Sequence, residues 1–219
     1  EPRYYANVVP NGFYWPHQAK NKKFTCYNST EATSPYSATG NCIRVGYAWR
    51  RAYPAGLWFD SSNTYTPVQG LKWIYPAFRM AEIYLNYAEA CNEKPQRDAA
   101  AACEYLNKVR NRAGLNNIEK AYPGIENDKE LLRWCIQRER MVEFTFEAQC
   151  HYDACRWMIA KEEYPGPWYT LACDATTYEE SYARKTGLIA NADNVFRDKD
   201  YLCPIYSGTL AEMTNMTQN

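Results

Sequence analysis

The sequence predicts a mainly α-helical protein built on antiparallel helical hairpins, with long aromatic-rich loops and a few short strands. Three observations carry this expectation. Residues 76–93, PAFRMAEIYLNYAEACNE, repeat apolar positions at spacings of three and four. Residues 97–113, RDAAAACEYLNKVRNRA, make a second helical segment after a joint of only Lys94 and Pro95. Residues 1–75 are instead broken by turn formers, among them Pro10, Gly12, Pro16, Pro35, Gly40, Pro54, Gly56 and Pro67.

In the first helix, Phe78, Met80, Ala81, Tyr84, Leu85, Tyr87, Ala88 and Cys91 fill one broad half. Arg79, Glu82, Asn86, Glu89 and Glu93 fall on the other half. Pro76 stands just ahead of the helix and Pro95 just past it, where a fixed φ suits the two boundaries. In the second helix four consecutive alanines let two backbones approach closely, and Gly114 ends the run. The pair makes a hairpin of about the tetratricopeptide length of ~34 residues. Only one copy is visible, and one hairpin cannot bury its own face, so neighbours are required.

Residues 115–127 read as a linker with Pro123 and Gly124. Asn127 then offers an N-cap, with Glu130 at capping-box spacing, and a third helix runs to about residue 148. Leu131, Leu132, Cys135, Ile136, Val142 and Phe146 share its apolar stripe, and Glu139 and Glu143 fall inside it. A carboxylate on a buried face needs a cationic partner. Arg79, Arg110, Arg112, Arg138, Arg140 and Arg156 are available, and arginine can grip a carboxylate with two hydrogen bonds. A short fourth helix spans about 149–161. Residues 162–200 are again loop-rich, with Trp168, Tyr169, Tyr178 and Tyr182, and a strand-like piece follows at 201–206. In the first 75 residues only 42–49, CIRVGYAW, alternates as a strand should. Those loops hold Tyr4, Tyr5, Phe13, Tyr14, Trp15, Trp49, Trp58 and Phe59, and loops of this length usually carry ligand contacts.

Composition removes several function classes. Basic and acidic side chains balance at 25 each, which argues against nucleic acid as a partner. No apolar run approaches the ~20 residues that span a bilayer. The opening EPRYYANVV has neither the basic start nor the apolar run of a secretory leader. Nine cysteines cannot all pair internally, no C-x-x-C occurs, and His17 and His151 are too few for most zinc frameworks. Cys91, Cys103 and Cys135 sit among apolar helical residues and are expected to be buried thiols. In Cys150-His151-x-Asp153-x-Cys155 only His151 and Cys155 share a helical face, too few for a tetrahedral metal site. Glu139 and Glu143 stand at about the carboxyl spacing of a retaining glycosidase, but on one apolar stripe rather than across a cleft, so ion pairing is the favoured reading. No common nucleophile, zinc-protease or nucleotide-binding motif is present.

Several blocks taken together resemble the SusD/RagB family. FRMAEIYLNYAEACNE is similar to its R-x-x-E-x-x-L-x-x-A-E-A helix, and LNKVRNRAGL (106–115) to its L-N-x-V-R-x-R-A-G-L segment. RERMVEFTFEAQCHYDACRW (138–157) resembles its E-R-x-x-E-F-x-F-E segment and the R-W that follows. TGNCIRVGY (39–47) and DYLCPIYSGTLAEMTNMTQN (200–219) resemble its pre-helix strand and its closing tail. Cys155 replaces the usual Leu, and Tyr206 the second Pro of P-I-P.

The resemblance implies a SusD-like scaffold of tetratricopeptide-like hairpins with loops forming the ligand face. It implies a surface lipoprotein of the Bacteroidetes outer membrane that captures oligosaccharides, or in some branches peptides, and sits over a SusC-like TonB-dependent transporter. Family chains are about twice this long, so this chain would be the C-terminal part. The missing N-terminal half would supply other hairpins, part of the ligand site and an upstream lipid anchor. Within the chain the division is 1–75 as a loop-rich ligand side, 76–161 as the helical core, and 162–219 as loops and closing segment. The family motifs are architectural: Arg79 can pair with Glu82, Glu139 and Glu143 seek arginines from neighbouring helices, and Trp157 would cap the bundle.

The leading functional expectation is non-catalytic glycan binding, without cofactor or metal. Sugars stack their C–H faces on Trp and Tyr rings while hydroxyls bond polar side chains. The candidate contacts are Tyr14, Trp15 and His17, near Lys20, Lys22 and Lys23, with Trp58 and Trp168 second. Alternatives are peptide capture, a helical interaction scaffold without small-molecule ligand, and a glycoside hydrolase that would need its carboxylates across a cleft.

Overall fold

The computed structural model describes residues 1–13, 25, 27, 47–51, 58–59, 65–66, 76–185, 195–202, 205–213, 215 and 217. Tyr14, Trp15, His17, the three lysines at 20, 22 and 23, and positions 42–46 of the expected strand lie outside these residues. In chain order the elements are α1 (Pro2–Asn7), β1 (Val8–Val9), β2 (Ala48–Trp49), β3 (Trp58–Phe59), β4 (Tyr65–Thr66), α2 (Met80–Glu93) and α3 (Ala99–Arg112). They continue with α4 (Ile118–Ala121), α5 (Lys129–Glu143), α6 (Gln149–Arg156), α7 (Ala160–Glu163), β5 (Thr170–Leu171), β6 (Arg184–Lys185) and α8 (Ser207–Glu212). Single 3-10 turns occupy Ile125–Asn127, Glu180–Tyr182 and Asp198–Tyr201. The strands form antiparallel pairs, β1 with β2 (Val8 opposite Trp49), β3 with β4, and β5 with β6 (Thr170 opposite Lys185).

The predicted hairpin is present. At its joint the Asp98 N–H donates to the Cys91 carbonyl (3.0 Å), and further along Tyr84 and Tyr87 both meet the ring of Tyr105. Those pairings run in opposite chain directions, so α2 and α3 are antiparallel. The core between them is Ala81, Leu85, Ala88 and Cys91 against Ala102, Cys103, Leu106 and Val109, closed by Leu132, Cys135 and Ile136 of α5. Ala102 is fully buried, where a larger side chain would hold the backbones apart. Asp98 caps α3 through the Ala101 N–H (3.1 Å). At the other end Gly114, at φ +76°, lets the Leu115 N–H reach the Arg110 carbonyl and its own N–H reach Asn111. That is a Schellman termination, which satisfies carbonyls the helix leaves open.

Several expectations are corrected. The broad apolar half of α2 is only partly covered in this chain: Phe78 is 82% exposed and Met80 59%. The polar half of α2 is tied to other elements by side-chain bonds. Arg79, Glu82, Asn86, Glu89 and Glu93 each bond across to Glu143 and Glu147, Gln149, Arg140, Arg156 and Arg133 respectively. Arg79 thus pairs with Glu143 and Glu147 in place of the expected Glu82. The N-cap of α5 is Asp128, whose carboxylate accepts from the Leu131 N–H (2.9 Å), while Asn127 closes the preceding 3-10 turn. The Asn127–Glu130 capping box is not formed.

The third helix stops at Glu143, not near 148, because Phe146 and Ala148 adopt positive φ (68° and 61°). The termination turns Phe144 fully inward and leaves Val142 and Phe146 of the expected stripe exposed. The fourth helix likewise ends at Arg156, with Met158 at φ +60° before α7. Trp157 closes α6 and donates from Nε1 to Glu89 (2.9 Å), tying α6 back to α2. Among the described residues no strand occurs at 201–206, since the Asp198–Tyr201 turn and α8 bracket that piece.

Candidate functional site

Two constructions matter for function, one that positions chain segments and one that offers a cleft. The first is the carboxylate cluster at the end of α5. Glu143 is 1% exposed and Glu139 5%. Glu143 accepts from Arg79 Nη1 (2.7 Å), Arg112 Nη2 (2.5 Å) and Arg3 Nη1 (3.1 Å). Glu139 pairs with Arg3 (2.7 Å) and Arg110 (2.9 Å). Glu147 takes Arg79 Nε (2.9 Å) and pairs with Arg51. The two stripe carboxylates thus act as ion-pair partners, held by guanidinium groups from other elements as their burial required.

Of the donors expected from sequence, Arg79, Arg110 and Arg112 serve this cluster. Arg140 instead binds Asp153 (2.6 Å) and Asn86, Arg138 binds Glu163, and Arg156 forks Glu89. Arg3 and Arg51 were not legible as donors, because no local spacing connects residues 3 and 51 to the end of α5. Their effect is positional. Arg51 Nη1 also donates to the Glu143 carbonyl (2.9 Å), and Arg50 Nη1 to that of Tyr5 (2.9 Å). With β1 paired to β2, both ends of the long 10–47 segment are stapled to the helical core.

These bonds set the acid limit of the fold. Burial by itself raises the Glu143 carboxyl pKa, but Arg79, Arg112 and Arg3 outweigh it and hold it below the ordinary 4.5. Glu89 behaves alike: burial opposes, and Arg156 and Trp157 prevail. Hydrogen bonds from Arg133 hold Glu93 at about 2. A carboxyl whose folded pKa is depressed stabilises the fold above its unfolded pKa and loses that contribution as pH falls through the folded one. Stability is therefore expected to be flat through neutrality, then to fall from 4.5 towards about 2. Urea midpoints that stay constant between about pH 6 and pH 3 would contradict it.

The second construction is a cleft of about 520 Å³ lined by His151, Tyr164, Trp168, Val195, Phe196, Arg197 and Asp200. α6 presents His151, the segment after α7 presents Tyr164 and Trp168, and the 3-10 turn beginning at Asp198 fixes the far wall. Tyr164 lies 6.0 Å from Trp168 and 6.2 Å from Phe196, centroid to centroid, and His151 lies 6.1 Å from Tyr164. Tyr201 backs Phe196 edge-on at 4.8 Å. At the rim, Asp200 Oδ2 accepts from the Arg197 N–H (2.8 Å) and orients that side chain. The cleft therefore offers ring faces with a cation and a carboxylate beside them. That combination receives ligands with apolar C–H faces and many hydroxyls.

Of the residues singled out in sequence, the cleft contains Trp168. Trp58 is described only as backbone of β3, and Tyr14, Trp15 and His17 lie outside the described residues. Tyr164 and Phe196 were not singled out; YPGPWY at 164–169 places three aromatic residues around two prolines, of which Trp168 and Tyr169 were named and Trp168 alone was a candidate contact. The Cys150–Cys155 run binds no metal-like cluster: Asp153 is buried between Arg140 and Arg156, and among the described residues no group of three or more His, Cys, Asp or Glu could hold an ion. Cys91, Cys103 and Cys135 are buried free thiols, as expected, and burial pushes Cys103 up to about 12. Among the described residues no helix is long and apolar enough to cross a membrane.

Comparison with known proteins agrees with the architecture. The model of the SusD family matches residues 1–219. The SusD-like protein P25 of Formosa agariphila is 39% identical over 82 residues, covering 37% of this chain and 15% of that protein. A solved SusD-like protein of Bacteroides fragilis superposes on the whole chain with a TM-score of 0.73 and 26% identity, and 38% of its own length is covered. A SusD-like carbohydrate binding protein of the same species gives 0.64 at 22% identity, over 94% of this chain and 39% of its own. The chain thus spans well under half the length of these relatives. With the family model running its full length, and a mainly α, tetratricopeptide-like hairpin fold shared with these structures, the chain belongs to the SusD family.

Proposed function

We propose that the chain forms part of a non-catalytic, glycan-binding protein at the bacterial cell surface, and that the cleft around Trp168 is one of its sugar contacts. The observation that carries this reading is the cleft itself: Tyr164, Trp168 and Phe196 converge beside Arg197 and Asp200 on a site large enough for sugar rings. The likeness to a SusD-like carbohydrate binding protein of Bacteroides fragilis supports the same ligand class. In this reading the helical core 76–161 is the frame, and the flanking regions 1–75 and 162–219 supply ligand contacts. Tyr14, Trp15, His17 and Trp58 are the proposed contacts from the first of these. The captured oligosaccharide passes to a SusC-like TonB-dependent transporter, beneath a protein held to the outer membrane by a lipid upstream of this chain.

The test uses the full-length protein on a printed oligosaccharide array, followed by calorimetric titration of the strongest hits. Trp168→Ala is expected to weaken affinity about tenfold, since a stacked aromatic contributes about 0.5–1.5 kcal/mol beyond its buried area, which adds its own share. An unchanged affinity would remove the cleft from the binding site. Saturable binding of peptides with none of any glycan would overturn the ligand class.

A further inference from the structure

A second group of exposed rings is shared by the N-terminal segment and the excursion between β5 and β6, and none of them lines the cleft. Tyr5 and Phe13 stack at 5.2 Å with their planes 26° apart, and Tyr4 abuts Tyr5 edge-on at 5.2 Å. Tyr178 and Tyr182, which pack edge to face at 5.1 Å, bring their hydroxyls within 2.8 Å of each other. All five rings remain about half exposed. Clustered exposed rings of this kind mark binding surfaces.

The group is also built rigidly. The two chain segments are fastened beneath the rings by Asn11 Nδ2 donating to Ser181 Oγ (2.8 Å), both residues being buried. Gly12, at φ +79°, approaches the Tyr178 ring so closely that a Cβ there would stand 2.9 Å from Tyr178 Cε2. Only glycine permits both that backbone and that approach. Arg3 and the β1–β2 pairing hold the start of the segment to α5, so the rings are fixed relative to the core.

Ring chemistry selects the ligand class. Four of the five rings are tyrosines, so flat apolar faces stand beside phenol hydroxyls; those of Tyr178 and Tyr182 bond each other, and Tyr182 also donates to the Asn11 carbonyl (3.5 Å), which leaves this pair acceptor capacity. An aliphatic partner surface would not use those hydroxyls, whereas the axial C–H face and equatorial hydroxyls of a pyranose match both. Phe13 also leads directly into Tyr14 and Trp15 along the chain. Tyr178 and Tyr182 lie in the excursion between β5 and β6, and Trp168 lies two residues before β5, so one hairpin connects the two aromatic sites.

We propose that the Tyr5–Phe13 stack, with Tyr178 and Tyr182 beside it, is a second sugar-binding subsite, engaged by the distal residues of an oligosaccharide whose other end occupies the Trp168 cleft. The inference rests on the glycan reading above, and the subsite makes the protein selective for chain length. The test is a ladder of neutral oligosaccharides of two to eight residues, chosen from array hits and titrated into the full-length protein. Phe13→Ala is expected to weaken the long members about tenfold and leave the shortest unchanged, whereas Trp168→Ala weakens both. Phe13→Tyr, which keeps the ring, restores the long-chain affinity and shows that the loss is not a folding defect.

Equal affinities of the wild type and Phe13→Ala for the long members would overturn the subsite while leaving the glycan reading intact. A Phe13→Ala protein that keeps its glycan affinity but loses a co-purifying membrane protein would assign the rings to a protein partner and overturn the subsite. Absence of any glycan binding by the wild type would overturn the underlying reading, and the subsite with it.

Discussion

Replacing Glu143 by Gln should cost about 3–5 kcal/mol of stability, the range for removing one member of a buried ion-paired group. Glu143 is the convergence point of Arg3, Arg79 and Arg112. Arg112 is more than half exposed and can turn to water, so its share of the loss is small. Arg3 and Arg79, with side-chain exposures of only 9% and 19%, keep Glu139 and Glu147 as partners, so the substitution leaves the buried cluster one negative charge short. The matched control is Glu130→Gln, because the Glu130 side chain is 75% exposed beside Arg133 and its loss should stay within about 0.5 kcal/mol. Urea unfolding of the full-length protein measures the difference, and amide exchange locates it. Faster exchange should appear in α1 and in the β1–β2 pair before α2 or α3 is affected, since Arg3 and Arg51 tie those segments to α5. Equal midpoints for the two variants would mean the cluster is solvated in solution.

Phe144→Ala should cost a similar amount, about 3–5 kcal/mol, through the cavity it leaves. Phe144 is fully buried at the end of α5, and its ring is flanked by the guanidinium of Arg79 at 4.7 Å and that of Arg140 at 5.2 Å. Phe144→Leu separates the two contributions. Leucine refills most of the volume but offers no π face, so the residual loss of about 1–2 kcal/mol measures the cation–π share. A leucine variant as stable as the wild type would leave the ring as filler alone.

The two predictions differ in how visible their residues were beforehand. Glu143 stood out because a carboxylate repeated on an apolar stripe is anomalous within a single helix. Phe144 did not, because extending the 3.6-residue period past Glu143 placed Phe146 on the buried stripe instead. The helix breaks where Phe146 and Ala148 take positive φ, a conformation that their residue types do not announce. In the same way Trp168 was conspicuous as a tryptophan in a loop-rich stretch, whereas Phe196, which reaches the cleft from 28 positions further along the chain, has no local neighbour to mark it.

The sequence by itself determined the α2–α3 hairpin, its glycine-ended second helix, the free buried thiols in it, and the need of two α5 carboxylates for cationic partners. Each of these follows from periodicity, local capping or the cost of burying a charge, all of which act within a few turns of chain. Only the tertiary structure decided which arginines answer that need, which partners the polar side of α2 bonds, and which rings share a surface. Arg3 and Glu143 are 140 residues apart, Asn11 and Ser181 170 apart. At those separations contact depends on how the whole chain packs, and no local pattern encodes it.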